Sequence, residues 1–99
     1  MITFHRTVCT TPGTFPAAIA NAKEVCALAK DVTGVDVSLS TQVGGSVGYL
    51  RWSATYDNLA GLENALTKLL ASPKYWELVN KGAANIVAGT AQDEIWRTV

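Results

Sequence analysis

The chain has 99 residues, the length of one domain, with enough chain for a single core and little surplus. It is 48% hydrophobic and 16% charged, too apolar for a disordered segment and below the charge of about 25% usual in soluble domains, so self-association is the simplest remedy for excess apolar surface. Eight Lys and Arg balance eight Asp and Glu with no basic run, which argues against nucleic acid and against an anionic membrane as partners.

The opening Met1 to Arg6 lacks the apolar stretch of a signal peptide, and no segment approaches the length of a membrane span. The expected location is cytoplasmic, where Cys9 and Cys26 are reduced thiols too isolated for a metal site. No repeat, linker or low-complexity stretch divides residues 1–99, so one domain is expected.

Residues 2–9 alternate as a strand, Ile2, Phe4 and Val8 on one side and Thr3, His5, Thr7 and Cys9 on the other. After the turn-forming Thr10 to Thr14, an apolar stripe at helical spacing runs from Phe15 to Val32. Thr14 is the expected N-cap, Pro16 is tolerated in the first turn, and Gly34 suits a left-handed stop. A hairpin follows, residues 35–43 and 46–56, with Gly44-Gly45 as a two-residue turn. That turn sets Leu39 opposite Leu50 and Val37 opposite Trp52, and brings Asp36 diagonal to Arg51 as a candidate ion pair. Asp57 or Asn58 caps a second helix with Leu59, Leu62, Leu66 and Leu69 as its stripe. Ser72-Pro73 restarts a short helix ending at Gly82. Residues 83–92 read as loop and 93–99 as a final strand.

The expected fold is therefore α+β, β-α-β-β-α-β, a four-stranded antiparallel sheet with two helices on one face. Right-handed crossovers order the strands 4-1-3-2. Both helices then cover Phe4, Val35, Val37, Leu39, Leu50 and Trp52, and the other face is bare. The bare face carries Thr3, His5 and Thr7, then Ser38, Ser40 and Gln42, then Val47, Tyr49, Arg51 and Ser53, and finally Glu94, Trp96 and Thr98. Arg6 and Arg97 fall on the covered parity, and each is expected to reach an edge, because an unpaired buried guanidinium is very costly.

The bare face is where function is sought. His5, the only histidine, is the candidate catalytic residue, since it alone has an ordinary pKa near neutrality; the alternative is a histidine merely hydrogen-bonded in a strand. Tyr49, Arg51, Ser38, Ser40 and Trp96 are the candidate ligand-binding residues, with interface packing as the alternative for Tyr49. Trp52 is assigned to the core, and Trp76 to sealing the second helix on the sheet, with capping the cavity as its alternative. Cys26 is an inert core thiol. Gly44-Gly45 lacks the following helix of a phosphate cradle, and no serine has a nucleophile-elbow context.

The element order, with Trp52-Ser-Ala-Thr-Tyr56 leaving the third strand and Leu69-Leu-Ala-Ser-Pro-Lys-Tyr75 ending the second helix, resembles the ferredoxin-like dimeric α/β-barrel superfamily. That superfamily includes antibiotic-biosynthesis monooxygenase-like and NIPSNAP-like proteins. The resemblance implies a dimeric α/β barrel, a homodimer whose two sheets enclose a cavity. Among its members are cofactor-free oxygenases, isomerases and haem-degrading enzymes. Several monooxygenase-like members carry a histidine shortly before the Ser-Pro turn; Leu69 stands there, which counts against oxygenase or haem chemistry. The expected function is binding of a small, partly apolar molecule between the sheets, with no cofactor and no metal. The alternatives are a purely structural homodimer and a cofactor-free monooxygenase or isomerase.

Overall fold

Alternation of apolar and polar side chains makes Ile2–Cys9 the first strand, β1, and the computed structural model describes all of residues 1–99. The other elements are α1 (Phe15–Thr33), β2 (Ser38–Thr41), β3 (Tyr49–Tyr56), α2 (Leu59–Leu70), α3 (Pro73–Gly82), a 3₁₀ turn (Ala83–Asn85) and β4 (Gln92–Arg97). The sheet order is β2-β3-β1-β4 and all neighbours are antiparallel. This is the α+β arrangement expected from the element order, with the helices on one face.

Each helix end has a local cause. Asn58 Oδ1 accepts the Gly61 N–H at 2.9 Å and caps α2. Thr14 holds the N-cap position of α1 as expected, its carbonyl accepting the Ala18 N–H at 2.9 Å, but its hydroxyl makes no capping bond and donates instead to Thr11 O at 2.8 Å, holding the preceding turn. Gly34 closes α1 at φ 74°, its N–H donating to Lys30 O. Ser72 and Pro73 restart the chain into α3, with the serine hydroxyl uninvolved. The Trp76 indole donates to Leu70 O at 2.9 Å. Trp76 thus locks the α2–α3 joint from an exposed position and does not seal α2 on the sheet.

The hairpin departs from the expected pairing. Leu39 faces Trp52 and Thr41 faces Leu50, a displacement of two residues, and the strands are shorter than residues 35–43 and 46–56. Gly44-Gly45 is not a two-residue turn. Residues 42–48 form a wider loop, with positive φ at Gly45 (91°) and Gly48 (83°), the latter two places being those where a side chain would strain the backbone. A shift of two preserves parity, so Ser38, Ser40, Arg51 and Ser53 keep their faces. Gln42, Val43 and Val47 lie in the loop, and both valines are fully or nearly fully exposed. Asp36 does not reach Arg51; it pairs with Lys30 at 3.0 Å.

The core is small. Val8, Ala18, Ala22 and Leu50 form its centre, with Phe15, Ile19, Leu39, Trp52 and Ile86 against it. Trp52 is partly buried, not fully, and its indole donates to Ala22 O at 3.3 Å, tying α1 to the sheet. Where α3 meets α1, Gly82 is buried against Asn21, whose Nδ2 donates to Leu78 O at 3.1 Å. A Cβ at Gly82 would overlap the Asn21 amide, so a larger residue there would displace the Asn21 side chain from its bond to Leu78 O. The chain exposes 6199 Å², against about 5,400 Å² for a compact monomer of 10.5 kDa. No helix is long and apolar enough to cross a membrane.

Candidate functional site

The open face of the sheet assembles the residues that strand parity assigned to it. Register sets His5 between Ser53 of β3 and Glu94 of β4, and Thr3 beside Trp96. Ser38 stands opposite Ser53, Ser40 opposite Arg51, and Cys9 opposite Tyr49. His5 Nδ1 and Ser53 Oγ are 2.7 Å apart. Arg51 Nε donates to Thr7 Oγ1 at 3.0 Å, and its Nη2 reaches Glu94 Oε1 at 3.6 Å, spanning β1. These pairs satisfy one another in partly exposed positions, and a depression of about 210 Å³ lies over Thr7, Ser40, Tyr49 and Arg51. Trp96 is 60% exposed.

The larger concavity is on the opposite side, between the sheet and the helices, where the sequence reading placed only core. It measures about 520 Å³, and 19 of its 25 lining residues are hydrophobic, so an apolar body fits it better than a polar one. Phe4, Arg6, Val8, Trp52, Ala54 and Tyr56 form its floor. Leu66, Leu69, Leu70, Tyr75 and Val79 form the α2–α3 wall.

The volume has a plain origin in the sequence. The wall from α1 is Ala18, Asn21, Val25 and Ala29, spaced so that all four lie along one stripe of the helix. On β3, Ala54 sits between Trp52 and Tyr56. Small residues at contact positions leave the helices standing off the sheet. The loop after α3 closes the remaining side through Asn85, Ile86, Val87 and Ala88. It is stitched to the end of β1: Ile86 bridges Thr10, the Val87 N–H donates to Cys9 O at 2.9 Å, and the Cys9 N–H donates to Thr90 Oγ1 at 3.1 Å.

Arg6 is the one permanent charge lining this cleft. The antiparallel register puts Asp93 of β4 directly beside it. Arg6 Nε donates to Asp93 Oδ1 at 2.7 Å and Nη2 to Oδ2 at 2.9 Å, a two-point pair. The guanidinium carbon lies 5.6 Å from the centroid of the Phe4 ring. The expectation that Arg6 would escape to an edge is thus met in altered form: the edge strand supplies its partner. The bond to Asp93 raises the Arg6 pKa above its ordinary value, with a smaller contribution from Tyr75. The same bond holds the Asp93 carboxyl below its ordinary value of 3.8. Burial pushes the Tyr56 phenol up, so it stays neutral. Cys26 is half-buried on α1 and not in the core as expected; its partial burial raises the thiol above its ordinary value, toward the protonated form.

A depressed carboxylate pKa contributes stability above the unfolded value, and that contribution is lost as pH falls through the folded value. The pair is partly exposed, so about 1 kcal/mol or less is expected of it. Urea unfolding of the wild type should weaken as pH drops below about 4, and Asp93→Asn should flatten that part of the curve. Equal slopes for the two proteins would remove the pair as the cause.

Fold and cleft can be set beside known structures. A NIPSNAP domain protein from Burkholderia xenovorans superposes with a TM-score of 0.85 at 14% identity, covering 100% of this chain and 95% of that one. A NIPSNAP family protein from Agrobacterium tumefaciens gives 0.83 at 13% identity, with 99% and 92% covered. An antibiotic biosynthesis monooxygenase gives 0.74 at 12% identity, with 100% and 99% covered. The chain has the ferredoxin-like α/β fold of the NIPSNAP and antibiotic biosynthesis monooxygenase-like proteins. No protein-family model matches it, and no curated protein is similar to it in sequence.

Within this ferredoxin-like frame, sequence reasoning missed Arg6, Tyr56 and Tyr75 as cleft residues. A signal was present. An arginine on the apolar parity of a central strand must have a partner, and the one carboxylate at matching parity on β4 is Asp93.

Proposed function

We propose that the protein binds a small, partly apolar molecule in the cleft between its sheet and its helices, and that it acts as a homodimer joined through the open sheet face. The cleft itself carries the first part. Its volume of about 520 Å³ falls within the roughly 300–1,000 Å³ of small-molecule sites, and a few convergent polar groups among apolar walls are their usual lining. The exposed area supports the second part. The excess over a compact monomer is close to the roughly 800 Å² that one partner contributes to a standard interface.

Binding is favoured over proton transfer. Among the lining residues there is no His, Cys, Lys, Asp or Glu, and of the two phenols Tyr56 is pushed further from neutrality by burial. The monooxygenase activity named for one structural neighbour, or an isomerase activity, would need a group that draws a proton from its substrate.

Titration with the uncharged fluorophore N-phenyl-1-naphthylamine tests the cleft. A saturable rise in emission is expected. Ala29→Phe, which fills the α1 wall, should weaken binding at least about tenfold.

A second reading places the ligand between the two sheets of the dimer, with His5 as its acid–base group and Ser38, Ser40, Tyr49, Arg51 and Trp96 around it. The depression over Tyr49 and Arg51 favours it. Ser40→Trp separates the two: loss of the fluorophore in that variant, with Ala29→Phe unaffected, would move the site to the open face. If neither substitution matters, the homodimer is structural.

A further inference from the structure

The charge state of the ligand follows from how Arg6 is held. We propose that the cleft selects an uncharged ligand with an apolar body and one hydrogen-bond acceptor oxygen, and discriminates against carboxylates, because Asp93 has already neutralised the Arg6 guanidinium. The inference rests on the reading of the cleft as a binding site and adds to it the chemical class of the ligand's head.

A guanidinium has five N–H donors, and the bonds to Asp93 use one on Nε and one on Nη2. Both hydrogens of Nη1 and one of Nη2 are not used by Asp93, and the Tyr75 phenol, which also lines the cleft, is the other side chain that acts on the guanidinium. Arg6 therefore still offers donors to the cleft it lines. It offers no net charge, since the carboxylate bound to it carries the opposite sign. An incoming carboxylate would be attracted by Arg6 and repelled by Asp93 just behind it, while giving up its own hydration to apolar walls. A buried charge without a net compensating charge is strongly disfavoured. A ketone, ester or amide oxygen loses far less water and needs only a donor. Phe4, lying against the guanidinium, and the two-point geometry both restrict how Arg6 can turn, so the free donors are held in place before the ligand arrives.

The uncompensated alternative would look different. A site built for a fatty acid or other carboxylate would present its arginine without an acid, or with a second cation. No Lys or His lines this cleft.

Three probes of one size separate the terms: 2-acetylnaphthalene has an acceptor and no charge, 2-naphthoate is an anion, and 2-ethylnaphthalene has neither. Binding is followed by NMR titration, reading the Arg6 Nε–H and Trp52 Nε1–H signals. The wild type should bind 2-acetylnaphthalene about tenfold or more tightly than 2-naphthoate, and more tightly than 2-ethylnaphthalene. Asp93→Asn should raise affinity for 2-naphthoate at least about tenfold and change that for 2-acetylnaphthalene by less than about threefold. Arg6→Met should bring 2-acetylnaphthalene down to the level of 2-ethylnaphthalene. If all three probes bind alike in every protein, the cleft is a site but the head-group inference is overturned. A wild type that prefers 2-naphthoate overturns it as well. If no probe shifts the Trp52 signal, the cleft reading fails and the inference fails with it.

Discussion

Leu50→Ala is expected to lower stability by about 3 kcal/mol, within the range of 2–5 for a fully buried leucine. Leu50 is 1% exposed and lies at the centre of the sheet, opposite Val8 on β1 and Thr41 on β2. Ala18, Ala22, Phe15 and Ile19 close over it. The surrounding residues cannot collapse easily into the space, because the helices already stand off the sheet around the cleft. Only 12 of 99 residues are buried, so the total stability belongs at the low end of the usual 5–15 kcal/mol. The melting temperature should fall by roughly 12–24 °C, at 4–8 °C per kcal/mol for a domain of this size. Val43→Ser is the matching control. Paired next to a Gly44-Gly45 turn, Val43 would lie on the apolar face of the hairpin, and its loss would be felt. In the loop, with its side chain fully exposed, the change should stay within about 0.5 kcal/mol. A larger loss would reinstate the narrow turn.

That control shows how the sequence could be right about faces and wrong about partners. The pleat has a period of two, so a hairpin slipped by two residues keeps every side chain on its side. Ser38, Ser40, Arg51 and Ser53 therefore lie on the face assigned to them, though each meets a different neighbour. Two adjacent glycines are a strong turn signal but an imprecise one, because Gly45 and Gly48 can share the same work across a wider loop. The Asp36–Arg51 pair failed for the same reason: it depended on register, and Lys30 lay closer. The strand order was legible because crossover handedness leaves few choices.

The cleft was not legible in the same way. An apolar stripe on a helix says which side faces the sheet and not how near the sheet will come. Ala18, Ala22 and Ala29 read as core filler, and the first and last of them prove to be cavity walls. Whether small residues draw two layers together or leave a gap depends on the bulk nearby. Here Trp52, Tyr56 and Tyr75 stand around Ala54 as bulky members of the cleft lining. Arg6 was visible as a conflict between parity and polarity. Such conflicts between local pattern and fold gather at sites that bind something, and Arg6 proves to be the charged residue of the cleft.

Trp96→Asp is expected to weaken the proposed homodimer at least about a hundredfold. Trp96 projects from β4 on the open face, beside Thr3, and is 60% exposed. A tryptophan left this bare in a monomer gains nothing from its ring, whereas aromatic anchors at the centre of an interface commonly cost 2 kcal/mol or more when removed, about thirtyfold in affinity. A carboxylate in its place adds the cost of burying a charge. Two controls fix the face. Ile95→Asp changes the neighbouring residue on the same strand, 54% exposed but on the helix side, and should leave the dimer intact. Val47→Asp at the hairpin loop should do the same. Sedimentation velocity from about 1 to 100 µM reads the outcome directly. A second readout comes from melting: a dimer's melting temperature rises with protein concentration, so the wild type and both controls should show that rise and Trp96→Asp should not. Were Ile95→Asp to dissolve the dimer and Trp96→Asp to spare it, the copies would be meeting on the helix side of β4, next to Asp93 and its partner Arg6. The open face would then be free of its twin.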